Sequence, residues 1–311
     1  MKSNPLVSIL IPIYNRVYLI EETLDSVISQ SYTNWECILV DDGSTDGTID
    51  LLEKYQKKDD RIKIYKRPSN LIKGANSCRN YGFSVAKGDY INWFDSDDIM
   101  YHKFLELKVN CFLKNKNINC VISKTEFFKD LITNIIGQEK RTVNSSNLLE
   151  DFVQLKCSWY VCDPMWSKAY LNNKTLMSEK LLKGQDRDFH IRMLMKSDIR
   201  ICFLDDFLVG YRQHSDTISN NFSKDVALSI HNVLKQRIIK LKEYGVSVNT
   251  LMFVYIELYK NYRSLRTNEL DILKFVFNNP LKHKLYFIWL IKFITASISY
   301  KFIGKGDSLL K

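Results

Sequence analysis

The stretch Gly88–Asp98 constrains the fold of this 311-residue chain more than any other. It opens with a glycine turn, continues through the apolar and aromatic run Tyr90–Phe94, and ends with Asp95, Asp97 and Asp98. The aromatic run predicts a buried β-strand. Carboxylates at the end of a buried strand are costly unless a cation lies beside them, and Mg²⁺ prefers such oxygen ligands. The stretch therefore predicts a metal site. A solvated turn that caps the next helix is the alternative interpretation.

Strand-like and helix-like segments alternate in the part of the chain before this stretch. Val7–Ile13 and Trp35–Val40 are apolar runs of strand length, and apolar residues recur at helical spacing after each of them. Ile62–Tyr65 predicts a third strand and Ala75–Ala86 a further helix. This alternation predicts an α/β fold with a parallel, doubly wound sheet, which binds ligands at the carboxyl ends of its strands.

The composition is that of a globular protein, with 45% hydrophobic and 26% charged residues. The length allows one large domain with an extension, or two domains. The seven cysteines are scattered through apolar segments without a Cys-x-x-Cys pair, so they predict neither a disulfide framework nor a zinc site. Met1–Pro5 does not have the pattern of a signal peptide. Together these features predict a reduced, cytoplasmic protein.

The positive charge is concentrated in the last part of the chain. Residues 222–311 hold 15 of the 45 Lys and Arg residues but only 6 of the 35 Asp and Glu residues. We therefore expect a domain over residues 1–221 and a basic helical extension over residues 222–311. Within the extension, Leu285–Ile303 is apolar but interrupted by Lys292, which disfavours a transmembrane span.

An interfacial helix suits this segment better, and it would place the protein peripherally on the inner face of the cell membrane. Packing of the helix on the domain, or across the interface of a homo-oligomer, is the alternative. The basic residues are interleaved with long aliphatic runs and form no known nucleic-acid motif. The sequence therefore predicts no nucleic-acid partner.

Three segments resemble family 2 of the glycosyltransferases in order and spacing: VSILIPIYN (residues 7–15), ILVDDGST (38–45) and GANSCRNYGFSVAKGDYINWFDSDD (74–98). The resemblance implies the GT-A fold, an α/β, Rossmann-like, mostly parallel sheet with flanking helices and an Asp-x-Asp metal site. It also implies an inverting transferase whose donor is a nucleotide-sugar, with a UDP-sugar favoured. The implied cofactor is a divalent metal, Mn²⁺ or Mg²⁺.

The resemblance also implies roles for individual positions. Residues that would contact the nucleotide-sugar are Pro12, Tyr14, Asn15, Asp42, Arg79, Asp95 and Ser96. Asp97 would be the principal metal ligand, and Arg79 would lie near the diphosphate. Judged without the resemblance, Asp42 could equally bond its own backbone in a turn, and Arg79 could lie on an ordinary helix surface.

The second half of the chain resembles the family more loosely. Gly184–Phe189 (GQDRDF) is similar to a Glu-Asp pair that the family carries at a helix start, with Gln185 in place of the Glu. Asp186 would then be the catalytic base. Asp188 lies two residues further on, so on a helix its side chain faces about the opposite way. We therefore prefer Asp186 as the base.

Tyr211–Ser219 (YRQHSDTIS) resembles a segment that these enzymes often carry after the sheet. In that segment His214 would complete the metal shell or bind the diphosphate; a surface histidine in a loop is the alternative. Trp159 and Trp166 could stack on acceptor sugars, but burial in the core is the competing interpretation. The other histidines, which we expect to be structural or solvated, are His102, His190, His231 and His283.

These residue types suit the inverting transfer that the family implies. A metal on Asp97 and the cation of Arg79 would stabilise the charge on the leaving diphosphate, and Asp186 would take the proton of the acceptor hydroxyl. We expect a saccharide acceptor, lipid-linked if the extension binds membrane, in bacterial surface-polysaccharide assembly. One alternative is a nucleotidyltransferase, which would need a glycine-rich phosphate loop that Tyr14–Arg16 does not provide. The other is a scaffold protein that binds nucleotide-sugars but has lost activity.

Overall fold

A computed structural model describes residues 4–214, 223–265, 269–281, 286–288 and 290–295 of the chain. Its strands are β1 (Val7–Ile13), β2 (Trp35–Asp41), β3 (Ile62–Lys66), β4 (Tyr90–Trp93), β5 (Ile99–Met100), β6 (Cys120–Lys129), β7 (Leu131–Gln138), β8 (Pro164–Ser167) and β9 (Ile201–Arg212). Its helices are α1 (Ile20–Ile28), α2 (Thr48–Lys58), α3 (Ala75–Val85), α4 (Phe104–Lys114), α5 (Leu148–Val153), α6 (Lys168–Leu171), α7 (Gln185–Leu194), α8 (Lys224–Tyr244), α9 (Val248–Leu265) and α10 (Glu269–Asn278). Strands and helices alternate as far as β4, as the sequence predicts.

The strands of the described residues form one sheet in the order β3-β2-β1-β4-β8-β6-β9-β5, and β7 pairs with β6. The first four strands are parallel, with Leu10 of β1 opposite Ile38 of β2 on one side and Trp93 of β4 on the other. The chain thus adds β2 and β3 on one side of β1 and β4 on its other side. In open α/β sheets such a reversal of strand order is where ligands bind.

The second half of the sheet mixes parallel and antiparallel pairs. β8 runs antiparallel to both β4 and β6, whereas β6 and β9 are parallel over most of their length. β5 adds a short antiparallel pairing at the β9 edge, with Met100 opposite Val209. The result is an α/β sheet that is parallel over its first four strands, as the sequence predicts, and mixed in its second half. The sequence did not predict β5, β7 or β8.

Close packing between β1 and the residues just before β4 fixes where β4 begins. The strand residues Ile9 and Ile91 are completely buried, as expected for a parallel sheet covered by helices on both faces. At Gly88 the backbones approach so closely that a Cβ atom would lie 2.5 Å from the Ser8 Oγ. The Gly88 N–H donates to that same oxygen at 2.8 Å. Only glycine fits here, and the contact positions the acidic segment that follows β4.

The helices after residue 222 pack on the α/β sheet domain through α5 and α7. α8 begins after Ser223, whose Oγ accepts a hydrogen bond from the Val226 N–H at 3.2 Å, and it ends at Gly245, which has a φ of +87°. Arg187 of α7 donates to Glu257 of α9 at 2.8 Å. α8 and α9 also contribute apolar side chains to the same buried cluster as the sheet. The division into a domain and an extension stays a prediction.

The C-terminal apolar segment Leu285–Ile303 is described only at residues 286–288 and 290–295, which are helical. His283 and the part of the Tyr211–Ser219 segment beyond His214 also lie outside the described residues. Throughout the described ranges, each helix is either too short or too polar to cross a bilayer.

The two tryptophans considered for acceptor stacking belong to the core instead. Trp159 is 4% exposed and Trp166 is 2% exposed, so burial in the core is the correct interpretation for both. Their rings enclose His190, and this burial lowers the pKa of His190 to about 3. His231 is buried as well. These histidines are therefore structural.

Candidate active site

A cavity of about 600 Å³ opens where the loops after β1, β2 and β4 leave the sheet. Eight of the site residues predicted from the sequence line it: Pro12, Tyr14, Asp42, Arg79, Asp95, Ser96, Asp97 and Asp186. The other two, Asn15 and His214, contact residues of these loops. Distant parts of the chain meet here because the carboxyl ends of parallel strands share one edge of the sheet.

Asn15 holds the loop after β1 against the loop after β2. Its backbone N–H donates to the Ser44 Oγ at 2.9 Å, and its side-chain Oδ1 accepts a hydrogen bond from the Thr45 N–H at 2.9 Å. It has a φ of +50°, a conformation that asparagine adopts more readily than most residues. The adjacent Tyr14 is 44% exposed, and the Lys73 ammonium lies 4.3 Å from its ring centre. Asn15 thus braces the loop that presents Tyr14 to the cavity.

The two aspartates at the end of β2 have different partners. The Asp41 carboxylate accepts hydrogen bonds from the Gly43 N–H at 2.9 Å and the Ser44 N–H at 3.1 Å, which closes the turn. Asp42 instead lines the cavity and forms an ion pair with Arg67. The turn role that the sequence leaves open for Asp42 therefore belongs to Asp41.

Arg79 and Asp95 form an ion pair on the cavity wall. The Arg79 Nη2 donates to Asp95 Oδ1 at 2.6 Å, and its Nη1 donates to Asn76 Oδ1 at 3.3 Å. Burial by itself lowers the pKa of Arg79, but the Asp95 carboxylate outweighs burial, so the pKa lies above its usual value. Arg79 is only 8% exposed, so the alternative of an ordinary helix surface is wrong. A charged guanidinium is held in place at the cavity.

Asp97 lies in the same cavity beside His214 and Arg16. Its Oδ2 is 3.0 Å from His214 Nε2 and 3.9 Å from Arg16 Nη2. The Arg212 Nε donates to the backbone carbonyl of Asp97 at 3.0 Å, which fixes the loop. The side chains of Asp97 and His214 are both partly exposed. A carboxylate oxygen and an imidazole nitrogen that meet at a cavity wall are a donor set that fits a divalent cation.

Asp95, Asp98 and Cys162 form a second group of possible metal ligands, and their ligand atoms lie within 4.8 Å of one another. The Asp98 carboxylate already accepts hydrogen bonds from the Arg212 N–H at 3.0 Å and the Cys162 thiol at 3.3 Å. Burial raises the pKa of Asp98 well above its usual value, with a further contribution from Asp97, and burial also raises the pKa of Cys162. These hydrogen bonds already occupy the Asp98 carboxylate, and a thiol is a poor ligand for a hard cation. Asp97 with His214 fits a metal better.

Asp186 lies in the first turn of α7, which forms another wall of the cavity. Gly184 has a φ of +74°, a conformation suited to glycine, and it turns the chain into the helix. The Asp186 Oδ1 accepts a hydrogen bond from the Arg187 N–H at 2.7 Å, where the helix dipole also favours a carboxylate. Burial nevertheless raises the pKa of Asp186, and the Arg187 N–H and the charge of Arg79 offset it only in part. Such a carboxylate is suited to accept a proton.

Asp188, the other candidate for the base, lies outside this cavity. Its carboxylate accepts a hydrogen bond from the Arg192 Nε at 2.9 Å, one helical turn further along α7. Gln185, which departs from the family pattern, lines the cavity next to Asp186. Of the two aspartates, Asp186 is therefore the one placed to act on a molecule in the cavity.

Sequence reasoning missed several residues of the cavity wall, among them Arg16, Tyr160, Val161, Lys183 and Tyr211. The ring centres of Tyr160 and Tyr211 are 5.3 Å apart, and both rings pack against Phe127. Arg16 directly follows Asn15, and Lys183 and Tyr211 each lie three residues before a predicted site residue, Asp186 and His214 respectively, so proximity along the chain was a usable signal. Tyr160 lies in the connection between α5 and β8, where the sequence gives no signal of a site residue.

The sheet order and the carboxylates at its carboxyl edge are those of a GT-A-type transferase. The family described as "Glycosyl transferase family 2" matches residues 8–203, more than half of the chain. The chain belongs to this family and is a glycosyltransferase, so the nucleotidyltransferase alternative is set aside. Members of the family often use a divalent metal.

Curated relatives agree with this assignment. The putative teichuronic acid biosynthesis glycosyltransferase TuaG of Bacillus subtilis is 40% identical over 226 residues, which cover 70% of this chain and 82% of that relative. An uncharacterized glycosyltransferase of Haemophilus influenzae is 41% identical over 111 residues, which cover 36% of this chain and 44% of that relative.

Solved structures share the fold at low identity. The crystal structure of S. aureus TarS 1–349 in complex with UDP-GlcNAc is 19% identical, with a TM-score of 0.63 over 88% of this chain and 80% of that one. The mannosyltransferase PcManGT of Pyrobaculum calidifontis, in complex with GDP-Man and Mn²⁺, is 16% identical, with a TM-score of 0.55 over 96% of this chain and 88% of that one. These likenesses show the fold alone.

Proposed function

We propose that the protein is a metal-dependent, inverting glycosyltransferase that moves a sugar from a UDP-sugar to a hydroxyl group of a saccharide acceptor. One observation carries this proposal: Asp186 of α7 shares a single cavity with Arg79 and Asp97, which come from the sheet half of the domain. A single displacement needs a base for the attacking hydroxyl and positive charge at the leaving group. This cavity offers the base and the guanidinium, together with a donor set for a metal.

The nucleoside part of the donor would lie against the loops after β1 and β2. Pro12 and Tyr14 offer apolar and aromatic contact area there, and the brace made by Asn15 holds Tyr14 in position. Asp42 would accept a hydrogen bond from the base or the ribose, with Arg67 fixing its carboxylate. The sugar and ribose hydroxyls would reach Asp95 and Ser96, which line the cavity after β4.

The diphosphate would leave from the side where Arg79 and Asp97 lie. A bound Mn²⁺ or Mg²⁺ supplies positive charge to the diphosphate as negative charge develops on it. Asp97 would hold the metal with His214 as a second ligand, and Arg79, kept in place by Asp95, would add a second positive charge. Asp186 would take the proton of the acceptor hydroxyl as its oxygen attacks the anomeric carbon opposite the diphosphate. One displacement of this kind inverts the anomeric centre.

A thermal-shift screen of UDP, GDP, CDP and ADP, each with and without Mn²⁺, tests the donor assignment. A ligand at 100 times its Kd stabilises the native state by about 2.7 kcal/mol, so the nucleotide that binds most tightly raises the melting temperature most. We expect that nucleotide to be UDP in the presence of Mn²⁺. TarS, a structural neighbour, was crystallised with UDP-GlcNAc and with UDP, which supports this nucleotide. Asp42→Ala should reduce the shift. A shift with GDP alone would mean that the donor is a GDP-sugar and not a UDP-sugar. No shift with any nucleotide would contradict the proposed site.

We further propose that the acceptor is lipid-linked and that the enzyme works peripherally on the inner face of the membrane, in bacterial surface-polysaccharide assembly. The name of TuaG connects that relative to teichuronic acid biosynthesis. In this chain, the described C-terminal helices expose Phe277, Phe287, Ile288 and Ile291, each more than half exposed, with Lys292 beside them. Exposed apolar and aromatic side chains next to lysines suit the surface of an anionic bilayer.

Cosedimentation with vesicles at low salt tests the membrane proposal. We expect binding to vesicles that contain phosphatidylglycerol and little binding to pure phosphatidylcholine, with release at high salt because the lysine contribution is screened. Ile291→Glu should weaken binding, since it places a carboxylate in the apolar surface. Leu131→Glu is the matched control, because Leu131 is 65% exposed but lies on β7, far in sequence from the C-terminal helices. Equal pelleting of both variants, or no pelleting of the wild type, would contradict the proposal.

A further inference from the structure

A second cavity, of about 420 Å³, lies between α7, the segment before it and α8. Its lining shares no residue with the first cavity, although α7 contributes to both. Asp186 belongs to the first cavity, whereas Asp188 and Arg192 belong to the second. A volume of this size is within the range of small-molecule sites. The proposed sugar transfer makes no use of this cavity.

The most buried charged side chain in the lining of this cavity is that of Arg237 of α8. It is only 7% exposed, and its Nε is buried without a hydrogen-bond partner among the described residues. The Nε atoms of Arg79 and Arg187 are likewise buried without a partner, but the guanidinium groups of these two residues each form an ion pair with a carboxylate, that of Asp95 and that of Glu257 respectively, whereas Arg237 has no ion pair among the described residues. A buried charge without a partner is costly, and it is retained where something else supplies the counter-charge.

The neighbouring carboxylates are already engaged. Asp188 accepts a hydrogen bond from Arg192 at 2.9 Å, and Glu257 accepts one from Arg187 at 2.8 Å. Burial, and next the charge of Arg187, lower the pKa of Arg237 to about 10, and the charges of Glu257 and Asp188 offset this only in part. The guanidinium therefore faces the cavity with its positive charge largely unbalanced.

The rest of the lining indicates what kind of molecule fits. Lys180 and Lys240 are exposed residues of the same cavity, so its charged lining holds four cations and one carboxylate. Ile191, Met195 and Val233 add an apolar wall. The cations match a ligand with a dianionic group. The apolar wall matches a ligand whose remaining atoms can pack against apolar side chains.

We propose that this second cavity binds a phosphate ester of about the size of a sugar phosphate, with Arg237 as the buried partner of the phosphate group. The two lysines would contribute long-range attraction from the rim, and the apolar wall would contact the body of the molecule. The site is separate from the donor cavity, so the inference stands independently of the proposed transfer reaction.

Thermal shift and calorimetry with inorganic phosphate and with glucose 6-phosphate test this proposal, at an ionic strength matched with chloride. Wild-type protein should be stabilised by both phosphates and not by glucose. Arg237→Gln should weaken phosphate binding about tenfold or more, because it removes a charge-assisted hydrogen-bond donor. Arg200→Gln is the matched control, since Arg200 is exposed and its side chain donates only to the backbone carbonyls of Ser197 and Ile199. Asp97→Ala, in the first cavity, should keep the phosphate response.

Two further measurements keep the outcome decisive. Without phosphate, Arg237→Gln should melt at or above the wild-type temperature, because it removes an unpaired buried charge. If that variant instead fails to fold, the Arg237 side chain is required for the fold itself and the proposal is wrong. Lys180→Gln combined with Lys240→Gln changes exposed positions only, and it should weaken phosphate binding and reduce its salt dependence. No phosphate response in the wild type, or the same response in Arg237→Gln, would also overturn the proposal.

Discussion

Asp186→Asn is expected to lower the kcat of sugar transfer by about 10²–10⁴-fold, the usual contribution of a general base. The substitution keeps the shape of the side chain and its hydrogen bond from the Arg187 N–H, but the amide oxygen cannot take a proton from the acceptor. Donor binding should be retained, because the proposed donor contacts belong to Asp42, Arg79 and Asp97. Release of nucleotide in the presence of acceptor measures the first effect, and the nucleotide thermal shift measures the second.

The matched control for this variant is Asp198→Asn. Asp198 pairs with Lys174 on the surface, and its side chain is 58% exposed, so its loss should leave kcat unchanged. If Asp186→Asn turns over at the wild-type rate, Asp186 is not the base. If it loses nucleotide binding together with turnover, its role lies in donor binding instead.

The pH profile gives a second test of the same residue. Burial raises the pKa of Asp186, so this carboxylate takes up a proton at a higher pH than an ordinary aspartate, whose pKa is about 3.9. The protonated form cannot accept the hydroxyl proton. The kcat should therefore rise with pH through the raised pKa and level off above it. In Asp186→Asn this rise should be missing from the residual activity.

The sequence was sufficient for the parallel half of the fold, because each of its strands is an apolar run followed by a clear helical pattern. It was insufficient for three strands of the second half. β5 consists of Ile99 and Met100 alone, too short for any periodic signal. β8 begins at Pro164, a residue that argues against a central strand, although the proline stands at the first strand position, where it is tolerated. β7 is largely exposed and lacks an alternating pattern.

The candidate site divides in the same way. Residues that come within a few positions of a strand end, such as Asp42 after β2 and Asp97 after β4, are predictable because the fold brings strand ends together. Their partners are not, because they come from distant parts of the chain. Asp98 illustrates this: the sequence offered a helix cap or a site role, but its carboxylate accepts the N–H of Arg212, 114 residues away. Similarly, nothing local indicates that Arg67 pairs with Asp42.

Asp97→Ala is expected to abolish the Mn²⁺-dependent part of nucleotide binding and to lower transfer by about 100-fold or more. A metal that neutralises a leaving diphosphate contributes several kcal/mol, and each 1.36 kcal/mol corresponds to a factor of ten in rate. The variant should still fold, because the Asp97 side chain is partly exposed and the loop is also held through its backbone by Arg212. Thermal shift with UDP, with and without Mn²⁺, measures the loss of binding.

Comparison with metal removal and with two neighbouring side chains decides where the metal binds. A chelator added to the wild type should reproduce the Asp97→Ala result, because both remove the same positive charge. His214→Ala should weaken the Mn²⁺ response less, since the carboxylate is the preferred ligand of a hard cation. Cys162→Ser should leave that response intact, because the buried thiol bonds to Asp98 and is a poor ligand for Mn²⁺. If Cys162→Ser loses the Mn²⁺ response while Asp97→Ala keeps it, the metal binds instead at the group formed by Asp95, Asp98 and Cys162.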